Sequence, residues 1–190
     1  MKRIAELRAE IYDYFQASAS CQKFFLDSSH DDKYAAYYNS MFLLQDTTES
    51  LMLHRENGFS SNPLTAYLEF WGVMQAAIVQ QDAIVEIYEV IVGSALNDKA
   101  IDLRAWRDLR ELRNLCAGHP AKKNRPRTQP LVRTFMGRMF GDYNGITYER
   151  WQQGVVSHPL VPFGTLLGNY ASEAGTQLET VLVAMKERWP

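Results

Sequence analysis

A long helical repeat of apolar residues, covering residues 63–92, constrains this chain most. Asn62 and Pro63 form a helix start signal, because Asn accepts hydrogen bonds from free N–H groups and Pro fits the first turn. Apolar side chains then recur at steps of three and four, interrupted by polar Gln81, as Tyr67, Trp71, Met74, Ile78, Val85, Tyr88 and Val92. Gly93 predicts the end of the helix. The Ile- and Val-rich residues 83–92 leave a strand as an alternative for the last part.

Similar apolar stripes predict helices over residues 3–16, 32–57, 102–117 and 163–188. Residues 18–32 are polar around one apolar cluster and are expected to include a turn. In the helix over 102–117, Arg104 with Asp108 and Arg107 with Glu111 stand four residues apart, which is the spacing of ion pairs along a helix.

Near the C-terminal helix the composition changes. Residues 119–130 hold three prolines and four basic side chains, which is typical of a loop. Residues 131–140 and 146–151 flank Gly-Asp-Tyr-Asn-Gly, a pattern that predicts a β-hairpin. The sequence therefore predicts a mainly all-α fold: an up-and-down helical bundle of about five helices with a small β-hairpin insertion near 131–152. We expect one domain over residues 1–190, with the basic loop and the hairpin inserted at about 119–158.

Composition narrows the class of protein further. With 190 residues, 46% of them hydrophobic and 22% charged, the chain can bury a core without disulfides or a structural metal. Cys21 and Cys116 show no disulfide or metal-site spacing. No apolar run is long enough to cross a bilayer and no signal peptide is visible, so we expect a cytoplasmic protein without a membrane partner. The net charge of −2 gives no general attraction to nucleic acid.

Short catalytic and metal-binding motifs are missing from the sequence. The four histidines are scattered as His30, His54, His119 and His158, without the spacing of a zinc site. Gly-rich phosphate loops and serine nucleophile elbows are also not found. We therefore expect neither a metal nor a cofactor.

One segment gathers groups that could carry chemistry. Arg113, Asn114 and His119 lie near the predicted end of the helix over 102–117, and six basic residues without an acidic one follow before Gly141. Arg113 can donate two hydrogen bonds to one phosphate, and a histidine moves protons near neutral pH. Lys122, Lys123, Arg125 and Arg127 are the candidate RNA-binding residues, because a phosphodiester is attracted to such a stretch. The spacing alone favours an ordinary helix exit at Gly118 and Pro120, with His119 facing the helix dipole and Arg113 in a surface ion pair.

Residues 113–119, Arg-Asn-Leu-Cys-Ala-Gly-His, resemble the motif of the HEPN superfamily, in which four to six residues separate an Arg from a His. This resemblance implies an α-helical, commonly dimeric domain. Many members are metal-independent endoribonucleases of toxin–antitoxin and phage-defence systems. It also implies that Arg113 and His119 are the catalytic pair, that Asn114 is an accessory polar residue, and that an antitoxin or a nucleotidyltransferase is a possible partner.

A metal-independent ribonuclease of this kind would use the 2′-hydroxyl as nucleophile and leave a 2′,3′-cyclic phosphate and a 5′-hydroxyl. One imidazole cannot act as acid and base at once, so two motifs in a homodimer would complete the site. The alternative is a non-catalytic HEPN-like module that binds RNA or a protein partner. A third hypothesis is a small-molecule site at Tyr34, Tyr37, Tyr38 and Phe42, although these aromatics are expected in the core.

Small residues on the last helix offer one further expectation. Gly164, Gly168, Ala171 and Gly175 fall in a narrow sector, where another helix could approach closely. Tight packing within the core is the first interpretation, and a subunit interface is the second.

Overall fold

A computed structural model describes residues 1–98, 101–118 and 131–190 of the chain. The described residues form six α-helices, and a 3₁₀ turn (Ser28–His30) and a π-helix (Asn114–Gly118) adjoin two of them. The α-helices are α1 (Lys2–Ala17), α2 (Ala19–Phe25), α3 (Asp31–Asn57), α4 (Pro63–Val92), α5 (Arg104–Arg113) and α6 (Phe163–Arg188). The expected mainly α-helical fold is confirmed. No helix in these three ranges is long and apolar enough to span a membrane.

The ends of α4 form as the sequence predicts. Asn62 Oδ1 accepts hydrogen bonds from the N–H groups of Leu64 at 3.0 Å and Thr65 at 3.2 Å. Gly93 ends the helix with a left-handed φ of +82°, a conformation that glycine adopts at little cost. The strand alternative for residues 83–92 is wrong, because this part of α4 is helical throughout and packs in the helical core.

Residues 18–32 contain more regular structure than expected. Ser18 Oγ accepts a hydrogen bond from the N–H of Cys21 at 3.2 Å and so caps α2. Cys21 and Phe25 are the buried residues of this short helix. The expected turn follows it, at Ser28–His30. The described chain therefore has six α-helices where the periodicity predicted about five, because seven residues are too few to show a helical repeat.

The buried face of α4 differs from the predicted stripe. Trp71 is 42% exposed, whereas Phe70, Met74, Ile84 and Ile87 are fully buried. Two glutamines lie on the buried face and interrupt the apolar pattern from which that face would be predicted. Gln80 Nε2 donates to Thr48 Oγ1 at 2.7 Å, and its Oε1 accepts a hydrogen bond from the Tyr170 hydroxyl at 2.9 Å. Gln81 Nε2 donates to the carbonyl of Trp106 at 3.2 Å.

The β region lies between residue 131 and the start of α6. Its strands are β1 (Val132–Phe135), β2 (Ile146–Thr147), β3 (Glu149–Gln152), β4 (Val155–Ser157) and β5 (Leu160–Val161). The predicted hairpin arms pair antiparallel, with Val132 opposite Gln152 and Phe135 opposite Glu149. The sequence missed β4, which pairs with β3, and β5, which pairs with β2, because both are only two or three residues long.

Two contacts join the β region to the helices near the motif. The Thr134 hydroxyl on β1 donates a hydrogen bond to the carbonyl of Leu115 in the π-helix. At the other end, the N–H of Gly164 donates to the carbonyl of Tyr143 at 2.7 Å. A Cβ at position 164 would lie 2.8 Å from that carbonyl oxygen, so glycine permits this approach.

Candidate functional site

The start of α5 is held by a side chain of α6. The two carboxylate oxygens of Glu173 accept hydrogen bonds from the N–H groups of Ala105 at 2.9 Å and Trp106 at 2.8 Å. These N–H groups belong to the first turn and have no partner within the helix. With Trp106, Leu109 and Leu112 buried, α5 is fixed against its neighbours, and its arginines lie on the partly exposed sides.

Three arginines of α5 are paired with carboxylates. Arg104 lies 3.8 Å from Asp108, which confirms the predicted pair. Arg107 pairs with Asp102 at 3.1 Å instead of the predicted Glu111, because the turn before α5 brings Asp102 closer. Arg110 forms an ion pair with Asp82 on α4.

Arg113 differs from these three in its partners. Its Nη2 donates to Gln75 Oε1 of α4 at 3.3 Å, and its Nη1 donates to Asn114 Oδ1 at 3.1 Å. Within the described ranges no carboxylate forms an ion pair with Arg113. Two neutral amides therefore orient the guanidinium while its positive charge stays uncompensated by them, and N–H donors remain for another acceptor.

The helix changes its hydrogen-bond pattern directly after Arg113. Residues Asn114–Gly118 form a π-helix, a feature that often occurs at functional sites. A Cβ built on Gly118 would lie 3.0 Å from Arg113 Nη1 and 3.2 Å from the Arg113 carbonyl oxygen. The backbone of Gly118 thus lies close to the guanidinium, and only a residue without a side chain permits this approach unchanged.

The remaining predicted site residues belong to a part of the chain that the structure does not describe. His119, Lys122, Lys123, Arg125 and Arg127 lie outside the described residues. Arg113 and Asn114 are therefore the predicted site residues that the structure brings together.

Gln75 was not found from the sequence, because its contact with Arg113 depends on how α4 and α5 pack. A polar residue on the exposed side of a long helix carries no signal for such a contact.

Cys116 lies in the π-helix but is not available as a nucleophile. Its side chain is buried, and burial raises the pKa of the thiol to about 12. A thiol of this kind stays protonated near neutral pH and packs as a small apolar group.

The other three histidines lie in separate places and make structural contacts. His30 Nδ1 is 2.9 Å from the carbonyl of Phe24, and its ring stacks on the ring of Phe24. His54 Nδ1 is 2.7 Å from the Tyr143 hydroxyl, and its Nε2 is 3.8 Å from a Glu69 oxygen. His158 faces Glu149 at 3.7 Å. Among the described residues no group of His, Cys, Asp and Glu side chains has the arrangement of a metal site.

A cleft of about 610 Å³ lies between α5, β3 and α6, on the face of α5 opposite Arg113. Arg150 and Tyr148 line it, together with Glu111 of α5. No described residue accepts a hydrogen bond from the buried Nε of Arg150, and burial raises the pKa of Tyr148. The volume is that of small-molecule sites in general.

The aromatic cluster of α3 is only partly in the core. Tyr37 is buried, but Tyr38 and Phe42 are about half exposed, with ring centroids 4.7 Å apart. The expectation that all four aromatics are core residues is therefore wrong for these two, which lie at successive turns of the outer face of α3.

Comparison of the chain with protein-family models, with curated proteins and with solved structures found no match. The candidate site thus depends on the geometry around Arg113 and on the short resemblance of residues 113–119.

Proposed function

We propose that this protein is a metal-independent endoribonuclease of the HEPN type, acting as a toxin or in phage defence. The observation that supports this most is the environment of Arg113. Its guanidinium is oriented by Gln75 and Asn114, two amides without charge. A phosphate can therefore bind Arg113 without displacing a carboxylate.

The proposed catalytic residues divide the chemistry between charge and proton transfer. Arg113 stabilises the negative charge that develops on the non-bridging phosphate oxygens. His119 takes the proton of the 2′-hydroxyl or gives one to the 5′-oxygen leaving group. The products would be a 2′,3′-cyclic phosphate and a 5′-hydroxyl. DNA would resist cleavage, because it lacks the 2′-hydroxyl.

Asn114 has a positioning role in this proposal. Its side-chain oxygen accepts from Arg113 Nη1, which fixes one side of the guanidinium plane. Gln75 fixes the other side from α4. An arginine with both terminal nitrogens oriented loses less conformational entropy when it binds phosphate.

The remaining parts of the proposal concern binding and assembly. Lys122, Lys123, Arg125 and Arg127 would attract the RNA backbone through charge. A homodimer would supply a second His119, so that one imidazole acts as base and the other as acid. An antitoxin or a nucleotidyltransferase would be the protein partner, as the HEPN resemblance implies.

The test compares wild type, His119→Ala and Arg113→Ala on one RNA, with product ends mapped. His119→Ala should remove cleavage, and Arg113→Ala should lower it by roughly 10²–10³-fold, as expected for the loss of a charge-stabilising donor. Chelation with EDTA should leave the wild-type rate unchanged. Arg104→Ala is the matched control, because Arg104 is an exposed arginine of the same helix that is paired with a carboxylate.

Three outcomes would contradict the nuclease proposal. The first is that wild type leaves every RNA intact, and the second is that His119→Ala cuts as well as wild type. The third is that Arg104→Ala loses as much cleavage activity as Arg113→Ala. RNA binding that depends on Arg113 without any cleavage would instead support the non-catalytic module. A strict monomer by light scattering at micromolar concentration would contradict the shared site.

A further inference from the structure

An exposed apolar stripe runs along the first half of α4 and ends at the residue that holds Arg113. Leu64, Leu68 and Trp71 are 54%, 65% and 42% exposed. They are separated from one another and from Gln75 by four, three and four residues, so all four lie on one face of the helix. From Leu64 to Gln75 this face is about 16 Å long. We call Leu64, Leu68 and Trp71 the α4 stripe.

The exposure of the stripe follows from how far α5 extends along α4. Farther along the same face, α5 packs over α4 through Arg113 on Gln75 and Arg110 on Asp82. Toward the N-terminus of α4 no described helix extends this cover, and Leu64, Leu68 and Trp71 are exposed. Arg113 therefore stands at the boundary between the covered and the bare part of the face.

Trp71 lies one helical turn from Gln75, the residue on α4 that binds Arg113, and its ring packs against a neighbour. It precedes Gln75 by one helical turn, a rise of about 6 Å, and helical side chains lean toward the N-terminus, so Gln75 points toward it. The rings of Tyr67 and Trp71 are tilted against each other with centroids 5.1 Å apart. Beside Trp71, Gly72 has open space where a Cβ would stand. An exposed aromatic ring thus lies one helical turn from the amide that orients Arg113, a cation with no carboxylate partner among the described residues.

We propose that Trp71 is a stacking site for an unpaired base of single-stranded RNA, next to the phosphate bound by Arg113. The inference deepens and rests on the proposed ribonuclease function, because it names the substrate class. Single-strand binding proteins combine the same two elements, positive charge for the backbone and aromatic rings for the bases. Leu68 and Leu64 extend the apolar surface beneath neighbouring bases.

The geometry selects single strands over duplexes. In an A-form duplex each base is paired and stacked between its neighbours, so its face is not available to a side chain. Trp71 lies on the convex surface of a helix, which cannot enter the narrow major groove of duplex RNA. An unpaired base, in contrast, can leave the strand and cover the indole. The enzyme should therefore cleave in loops and unpaired segments.

The test measures binding of a single-stranded RNA of about 12 nucleotides with 2′-O-methyl groups, which remove the nucleophile and so prevent cleavage. Trp71→Ala should weaken this binding by roughly 5- to 100-fold, the range that corresponds to loss of one stacked base. Trp71→Phe should restore most of the affinity. Trp151→Ala is the matched control, because Trp151 is an equally exposed tryptophan on β3, and it should change affinity less than twofold.

A second series identifies the contact with a base. The same RNA is made with a single abasic position, moved along the strand. One such position should lose about as much affinity as Trp71→Ala, and the loss should not add to that of the variant, because both changes remove one contact. A blunt RNA duplex should bind wild type and Trp71→Ala equally.

The results separate this inference from the nuclease proposal. If wild type cleaves RNA with dependence on Arg113 while Trp71→Ala binds single strands as wild type does, the stacking site alone is refuted. If Trp71→Ala changes the oligomeric state and leaves RNA affinity intact, the α4 stripe is a protein contact and the inference fails. If wild type neither binds nor cuts RNA, both proposals fail.

Discussion

The backbone of Gly118 lies close to the Arg113 guanidinium, and whether this position must lack a side chain is open to test. A Cβ at this position would approach Arg113 Nη1 to 3.0 Å and the Arg113 carbonyl oxygen to 3.2 Å. We expect Gly118→Ala to displace the guanidinium by a few tenths of an ångström or more and to lower RNA cleavage roughly 10- to 100-fold. The rate of cleavage of one RNA by wild type and variant measures this.

Gly168→Ala is the control for that substitution. Gly168 is a helical glycine of α6 with nothing within 4 Å of a built Cβ. The added methyl group should raise the free energy of unfolding by about 1 kcal/mol, since alanine favours a helix more than glycine does, and leave cleavage unchanged. Equal activity of the two glycine variants and wild type would show that Gly118 is not required to be small.

Among the secondary-structure elements, α5 depends on α6 for its first turn. Glu173→Ala removes the acceptor of two N–H groups, so we expect the free energy of unfolding to fall by about 1–2 kcal/mol. Urea unfolding followed by circular dichroism measures this. Glu179→Ala on the same helix is the comparison, because among the described residues Glu179 pairs with Arg3 at an exposed position. A loss as small as that of Glu179→Ala would mean that α5 does not need this cap.

The sequence predicted long helices with clear end signals well. It predicted short elements, and helix faces that bury polar residues, less well. The stop and start signals at Asn57, Gly58, Asn62 and Gly93 are local, so the ends of α3 and α4 were predicted closely. The buried side of α4 was not, because Gln80 and Gln81 interrupt its apolar pattern and find partners only in the folded chain. Local signals likewise pointed to Arg113 and Asn114 as candidates, whereas the contact of Gln75 with Arg113 and the exposure of the α4 stripe depend on how α5 packs.

For the whole molecule, buried tyrosines make stability depend on alkaline pH. Burial raises the pKa of Tyr143 to about 12 and also raises the pKa values of Tyr37 and Tyr170 above the usual value. In the unfolded chain these phenols ionise near pH 10, while in the folded chain they stay protonated. The unfolded state then binds fewer protons, so stability is complete below about pH 10 and falls as pH rises toward 12.

Urea unfolding between about pH 8 and pH 11 tests this expectation. The buried thiols of Cys21 and Cys116 act in the same direction, because burial raises the pKa of each to about 12. Tyr143→Phe should make the decline shallower, since one ionisable phenol is removed. A free energy of unfolding that stays constant over this range would contradict the burial of these groups.

The packing of the first helix on the last has a consequence for synthesis. The apolar side of α1 is covered by α6, and residues 18–162 lie between the two helices. At about 5–20 residues per second, a ribosome needs roughly 7–30 s to reach α6 after α1 has been made. During that interval α1 cannot complete its native contacts, and α5 also lacks the carboxylate of Glu173. The start of α5, the helix that carries Arg113, therefore lacks part of its support until α6 has been made.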